Sequence, residues 1–220
     1  MVRYFFFGTP GQYSGNGRWW ALFICLPLLA GCAGLTIQTD QVARTEVFEP
    51  ATDRVTAMAD GFELLGRVAV RNEQQRFSGN VHWQHTSVED TLMLLSPLGQ
   101  AVAEIVRKRS GVTLTTSKQE TFYADNVEDL TAELLGWRLP LNGLRYWVQG
   151  VHSPLSRATV DFDSEDRIIA IRQDGWEIIY RQYYQHDDES FNRQMVRPRI
   201  VELHIEGLMI RLVVDNWTEI

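Results

Sequence analysis

The strongest constraint on this chain is a two-residue alternation that sets in near Phe62. In the stretch Arg76–His85, Phe77, Gly79, Val81 and Trp83 share one phase and Ser78, Asn80, His82 and Gln84 the other. That is the pattern of a strand with one face on a core and the other on water. Phe62–Arg71 and residues 90–96 are apolar-rich runs of the same kind, and 100–107, 112–117 and 121–124 continue the series. Polar clusters separate them, as in an antiparallel meander. Five further strands are expected at 157–162, 167–173, 176–184, 199–205 and 208–215, with Glu206-Gly207 as a tight hairpin between the last two.

Between the two strand series the period changes. Val127, Leu130, Leu134 and Leu135 form a helical stripe, with Gly136 placed to cap it. Pro140 then breaks the chain, and Asn142 can cap a second short helix over 143–149. Residues 50–60 could form another, with Val55, Met58 and Ala59 at helical spacing. About eleven strands with helices gathered in the middle predict an α+β fold: one mostly antiparallel sheet with a helical cover.

The N-terminus sets the compartment. Arg18 precedes an apolar run from Trp19 to Ala30, too short to cross a bilayer core, which takes about 20 residues. A basic flank, a short apolar stretch and small residues after it make a secretory signal. The run ends Leu29-Ala30-Gly31-Cys32, which resembles a bacterial lipobox, with Cys32 as the acylated residue; Ile24 is too bulky for Cys25 to compete. Ala33 follows, where an Asp would resemble an inner-membrane retention signal, so export to the outer membrane is implied. Acyl chains on Cys32 would anchor firmly, since each buried CH₂ contributes about 0.8 kcal/mol. Cleavage leaves a single cysteine and no internal disulfide. The expected organisation is signal peptide over 1–31, lipidated N-terminus and tether over 32–48, and one folded domain over 49–220.

Charge excludes one class of partner. The formal net charge is −7, and two of the basic residues (Arg3 and Arg18) but no acid lie before Cys32. The processed chain therefore stands at about −9, and it has no basic stripe to hold a phosphate backbone. Nucleic acid is excluded.

Catalytic apparatus is not visible. His82 and His85, three apart on a strand, point to opposite faces and make no metal pair. Ser78-Gly79 and Ser96-Pro97 lack the glycines of a nucleophile elbow. The acid clusters 165–166 and 187–189 read as solvated turns, and no glycine pattern cradles a nucleotide. Neither cofactor nor metal is expected, and the chain is read as a non-enzyme. The tryptophans are more informative. They fill a core in the plain reading, and for Trp83 and Trp217 that suffices, but a closed sheet this large encloses more space than its side chains fill, so an apolar cavity under the helices is a natural consequence. Ser96-Pro97-Leu98-Gly99 is a tight turn with an apolar residue at its tip. Leu98 is either buried by a neighbour or offered to a membrane or partner, and the residues alone lean to burial.

An ordered set of motifs carries a resemblance. Phe62…Gly66-Arg67, Phe77-Ser78-Gly79…Trp83, Ser96-Pro97-Leu98-Gly99, Leu135-Gly136-Trp137…Pro140-Leu141…Leu144…Trp147…Gly150, Gln173…Gly175-Trp176…Tyr180 and Asp215-Asn216-Trp217 resemble the outer-membrane lipoprotein receptors of the LolB family. The lead-in before Trp19 and the acidic, Tyr-rich segment 183–192 match no family motif. The resemblance implies an open antiparallel β-barrel of about eleven strands with a helical lid over a hydrophobic cavity. It implies transfer of acylated lipoproteins from a soluble periplasmic carrier of the same fold, LolA, into the inner leaflet of the outer membrane. The implied partners are that carrier, the acylated cargo and outer-membrane phospholipid, with the chain itself a monomer. Pro97, Leu98 and Gly99 correspond to the family's membrane-insertion loop, which reverses the leaning to burial. Leu94, Trp137, Leu144, Trp147, Trp176 and Tyr180 are the candidates for cavity or lid. The competing reading is a structural lipoprotein that scaffolds an envelope assembly and holds no ligand.

Overall fold

The computed structural model describes residues 42–50, 61–184 and 197–220. The signal segment, Cys32, most of the tether, the helix expected after Pro50 and most of segment 183–192 lie outside the described residues. The elements belong to one compact unit, Asp40–Ile220. Strand β1 (Arg44–Phe48) comes first, followed by the meander β2 (Phe62–Arg71), β3 (Arg76–His85), β4 (Glu89–Leu95), β5 (Ala101–Lys108), β6 (Gly111–Thr116) and β7 (Thr121–Ala124). Helices α1 (Val127–Leu135) and α2 (Leu141–Trp147) follow. A second meander comprises β8 (Ala158–Phe162), β9 (Ile168–Gln173), β10 (Trp176–Tyr183), β11 (Pro198–Ile205) and β12 (Leu208–Glu219).

All twelve strands form one antiparallel sheet in the order β1-β8-β9-β10-β11-β12-β2-β3-β4-β5-β6-β7. The two meanders are joined where β12 pairs β2, from Met209 opposite Arg71 to Glu219 opposite Phe62. The sheet is not closed: β1 and β7 are its two edges and share no ladder. The expected antiparallel sheet with two helices is found, and among the described residues it stays open, with β7 ending after four residues where the chain passes into α1.

Alternation decides the core. In β4, Asp90, Leu92 and Leu94 face inward, and in β3 Gly79, Val81, Trp83 and His85 do. Of these, Val81, Trp83, Leu92 and Leu94 join side chains of both helices and of β8–β12 in a single apolar cluster. Phe62 stands at one end of it, stacked on Trp217 at 4.5 Å and edge-on to Trp83 at 4.9 Å. Gly79 is required by close approach, since a Cβ there would lie 2.0 Å from the Leu95 carbonyl oxygen.

Three elements differ from the sequence reading by more than one residue at an end. Arg44–Phe48, assigned to the tether, is a strand held by its ladder to β8; its side chains are mostly exposed (Val47 by 50%), so they carry no core periodicity. Helix α2 starts at Leu141 with Pro140 as its cap, whose carbonyl accepts from Gly143 N and Leu144 N, and Asn142 is not the cap. The last strand runs on to Glu219 because a bulge between Val214 and Asn216 shifts the phase and brings Trp217 inward.

Candidate functional site

In an antiparallel meander alternate turns gather at one rim of the sheet. The β2–β3, β4–β5, β6–β7, β9–β10 and β11–β12 turns share one rim here. At this rim the helical pair meets the sheet. A pocket of about 640 Å³ opens there, lined by Glu128 of α1, Arg138 and Pro140 of the interhelix segment, Asn142, Gly143 and Trp147 of α2, and the β9–β10 and β11–β12 turns. Its apolar lining includes Trp147 and Trp176, whose ring centroids are 6.4 Å apart. Gly143 makes room for the indole: a Cβ there would meet the Trp147 ring at 2.4 Å.

The six candidates for cavity or lid are all buried, and all belong to the core cluster. Trp147 and Trp176 reach the pocket, whereas Leu94, Trp137, Leu144 and Tyr180 are core side chains in this conformation. The pockets formed by the described residues at this rim carry polar as well as apolar groups, so they are not the purely apolar hollow expected from sequence.

Helix α2 is fastened by buried polar groups that sequence reasoning missed. Trp147 Nε1 donates to Gln173 Oε1 at 2.9 Å, and the same oxygen accepts from Ser153 N at 2.8 Å. Gln173 Nε2 donates to the carbonyls of Ser153 and Ser156, which ties the loop after α2 to β9. Tyr180 OH donates to the Trp147 carbonyl at 2.8 Å, and burial raises its pKa well above the usual phenol value. Deeper in the sheet, Asp90 accepts from Trp83 Nε1 at 3.0 Å, His85 Nδ1 at 2.7 Å and Arg107 Nε at 2.7 Å. Burial alone would raise the Asp90 carboxyl, but the hydrogen bonds from His85 and Arg107 outweigh it and hold it below the usual carboxylate range. Arg107 Nη1 then donates to Asn142 Oδ1 at 3.0 Å, which links this network to α2. A signal existed: Asp90 and Gln173 occupy inward phases next to Leu92 and Ile171.

Helix α1 is held differently. Asn126 caps its start, accepting from Asp129 N at 3.2 Å. At its end the Asn72 and Gln75 side chains of the β2–β3 turn donate to the Gly136 and Leu135 carbonyls at 3.1 and 2.5 Å, bonds exposed to solvent. Glu128 has one carboxylate oxygen buried without a hydrogen-bond partner, and burial raises its pKa.

The β4–β5 turn is a different kind of feature. Gly99 N donates to Ser96 O at 2.9 Å, and Ser96 N donates to Gln100 O at 2.7 Å. Pro97, Leu98 and Gly99 therefore form a three-residue hairpin loop, with Gly99 at φ 83° supplying the left-handed position. Leu98 is 90% exposed at its tip. The leaning to burial drawn from the residues alone is overturned; a short, hydrogen-bonded loop leaves no neighbour within reach. His82 and His85 do lie on opposite faces, His82 2.6 Å from Glu63 and His85 on Asp90. Among the described residues no helix is long and apolar enough to cross a membrane.

Comparison with known proteins fits these features. A family model described as outer membrane lipoprotein LolB matches residues 60–217. An outer-membrane lipoprotein LolB of Nitrosomonas europaea is 44% identical over 200 residues, covering 91% of this chain and 92% of its own length. One from Thiobacillus denitrificans is 41% identical over 160 residues, 73% of this chain and 81% of its own. Among solved structures, a LolA superfamily protein from Nitrosomonas europaea superposes with a TM-score of 0.46 at 11% identity, over 73% of this chain and 86% of that one. With the family model matching residues 60–217 and relatives matched along most of their length, the chain belongs to the LolB family of outer-membrane lipoproteins.

Proposed function

We propose that this protein is an outer-membrane receptor that takes acylated lipoproteins from a soluble periplasmic carrier and inserts them into the inner leaflet. Acylated Cys32 anchors it facing the periplasm as a monomer. One observation carries the reading: Leu98, an exposed leucine on a hydrogen-bonded hairpin loop, stands on the same rim of the sheet as the mouth lined by Trp147 and Trp176. An apolar residue held away from the core is suited to entering a bilayer, and a mouth on the same rim faces the same side.

The task needs no bond chemistry. At about 0.8 kcal/mol per CH₂, exposing one long acyl chain to water costs on the order of 10 kcal/mol, so the chain must pass from host to host under cover. A rising affinity from carrier to receptor to membrane supplies the direction. Acyl chains reach the interior when α1 swings aside. Its solvent-exposed bonds to Asn72 and Gln75 are the ones to break, while α2 stays fastened through Gln173, Tyr180 and Arg107. Side chains such as Leu94, Leu144 and Trp137 would then line the path.

The test is transfer of a radiolabelled lipoprotein from purified carrier to this protein, and then to liposomes. Both steps should proceed without nucleotide. If the label stays with the carrier while the protein is folded, the receptor reading fails and the scaffold reading gains. Replacement of Cys32 by Ala should leave the protein in the soluble periplasmic fraction.

A further inference from the structure

A second concavity adjoins the mouth. It is a groove of about 980 Å³ lined by residues 71–76 at the β2–β3 turn and its strand ends, Gly175 and the β10 residue Glu177, and residues 204–209 at the β11–β12 turn and its strand ends. The two concavities share Ile205, Glu206 and Leu208, so they are continuous. Their linings differ. The mouth has two indoles, whereas the groove presents carboxylates (Glu73, Glu206), guanidinium groups (Arg71, Arg76) and side-chain amides.

We propose that this groove seats the polypeptide stem of the cargo, the extended residues that follow its lipidated cysteine, while the acyl chains enter the mouth. The inference rests on the receptor reading above. A cargo modified as Cys32 is expected to be carries its lipid on its first residue, so once the chains pass the mouth the polypeptide must leave along an adjoining surface. A strip offering both donors and acceptors suits the backbone of a stem whose sequence varies between cargoes. Glu128, at the mouth with an unpartnered carboxylate oxygen, is placed to accept a first amide N–H of that stem.

The groove also touches the lid. Asn72 and Gln75, which line it, are the residues that hold the C-terminal carbonyls of α1. A stem that hydrogen-bonds these side chains competes with those carbonyls. Seating the peptide thus loosens α1 where acyl chains must enter, and a free fatty acid lacks this effect.

The experiment compares two probes on the whole protein: a palmitoylated hexapeptide and palmitate alone, read by tryptophan fluorescence. The substitutions Gln74→Trp, which obstructs the groove from an exposed position, and Arg76→Glu are made separately, and folding is checked by urea unfolding. Either should weaken the lipopeptide by about ten-fold and leave palmitate unchanged. Unchanged binding of both probes in both variants would overturn the groove as the seat. Equal loss of both would also overturn it, assigning these residues to the lid alone. If the unaltered protein binds neither probe, the receptor reading itself fails.

Discussion

Leu98 shows how a single side chain can be placed against its own burial preference. Its loop is closed by two backbone hydrogen bonds and by Gly99 at a positive φ, so the leucine cannot fold back. Burying one leucine contributes about 1.5–3 kcal/mol. Leu98→Glu should therefore leave cargo uptake intact and slow release into liposomes by about ten-fold or more; normal release would remove the loop tip from the pathway. Asp90 is the opposite case, a charge fully buried with three donors. Asp90→Asn strips Arg107 of its counter-ion and should lower stability by about 3–5 kcal/mol in urea unfolding, as breaking a buried pair does. The turn around Leu98 was legible from Pro97 and Gly99; its exposure was not legible from composition and came from the family resemblance. Asp90 and Gln173 were legible in phase but not in partner, because their donors come from other strands and from α2.

Among the elements, the two helices differ in how they are held. Trp147 ties α2 to Gln173 and Tyr180 through buried bonds, whereas α1 ends on two exposed ones from the β2–β3 turn. Each exposed hydrogen bond contributes about 0.5–1.5 kcal/mol. Replacing Asn72 and Gln75 together by Ala should speed amide exchange in α1 by about ten-fold and leave β3 unchanged. Equal acceleration in α2 would show the pair moving as one body. Most strands were readable from alternation alone, since one face of each is in the core. The exceptions have physical causes: β1 is an edge with few buried side chains, the bulge at Asp215 breaks the phase of β12, and Pro140 begins α2 where a breaker was read.

At the scale of the molecule, electrostatics set a lower limit on usable pH. Asp161, Asp163 and Glu202 would be raised by burial, but bonds from Arg172, Arg167 and Arg181 leave them below the usual range. Asp215 is lowered by its bond from Arg67, against a smaller burial effect. Together with Asp90, these are folded-state values below the unfolded ones. Their contribution is complete above the ordinary carboxylate range and is lost as pH falls through the lowered values. Glu128 has the opposite sign, its contribution fading as pH rises through its raised value. Urea midpoints should hold from neutrality to about pH 5 and drop below about pH 4; a midpoint that rises in acid would contradict these assignments. What sequence could not supply at this scale was the seam between β12 and β2, which joins residues nearly 150 positions apart and leaves no local signature.

The open sheet has a cost that a closed one avoids. Among the described residues no strand pairs with the outer side of either edge strand, and such margins invite neighbouring copies to add on and polymerise. Here each margin is short. One ends after four residues, and the other carries Arg44 and Glu46. If the proposed anchor holds these molecules side by side on a membrane, they meet far more often than free ones, and brevity and charge at these margins are what would keep a crowded leaflet from knitting into fibres.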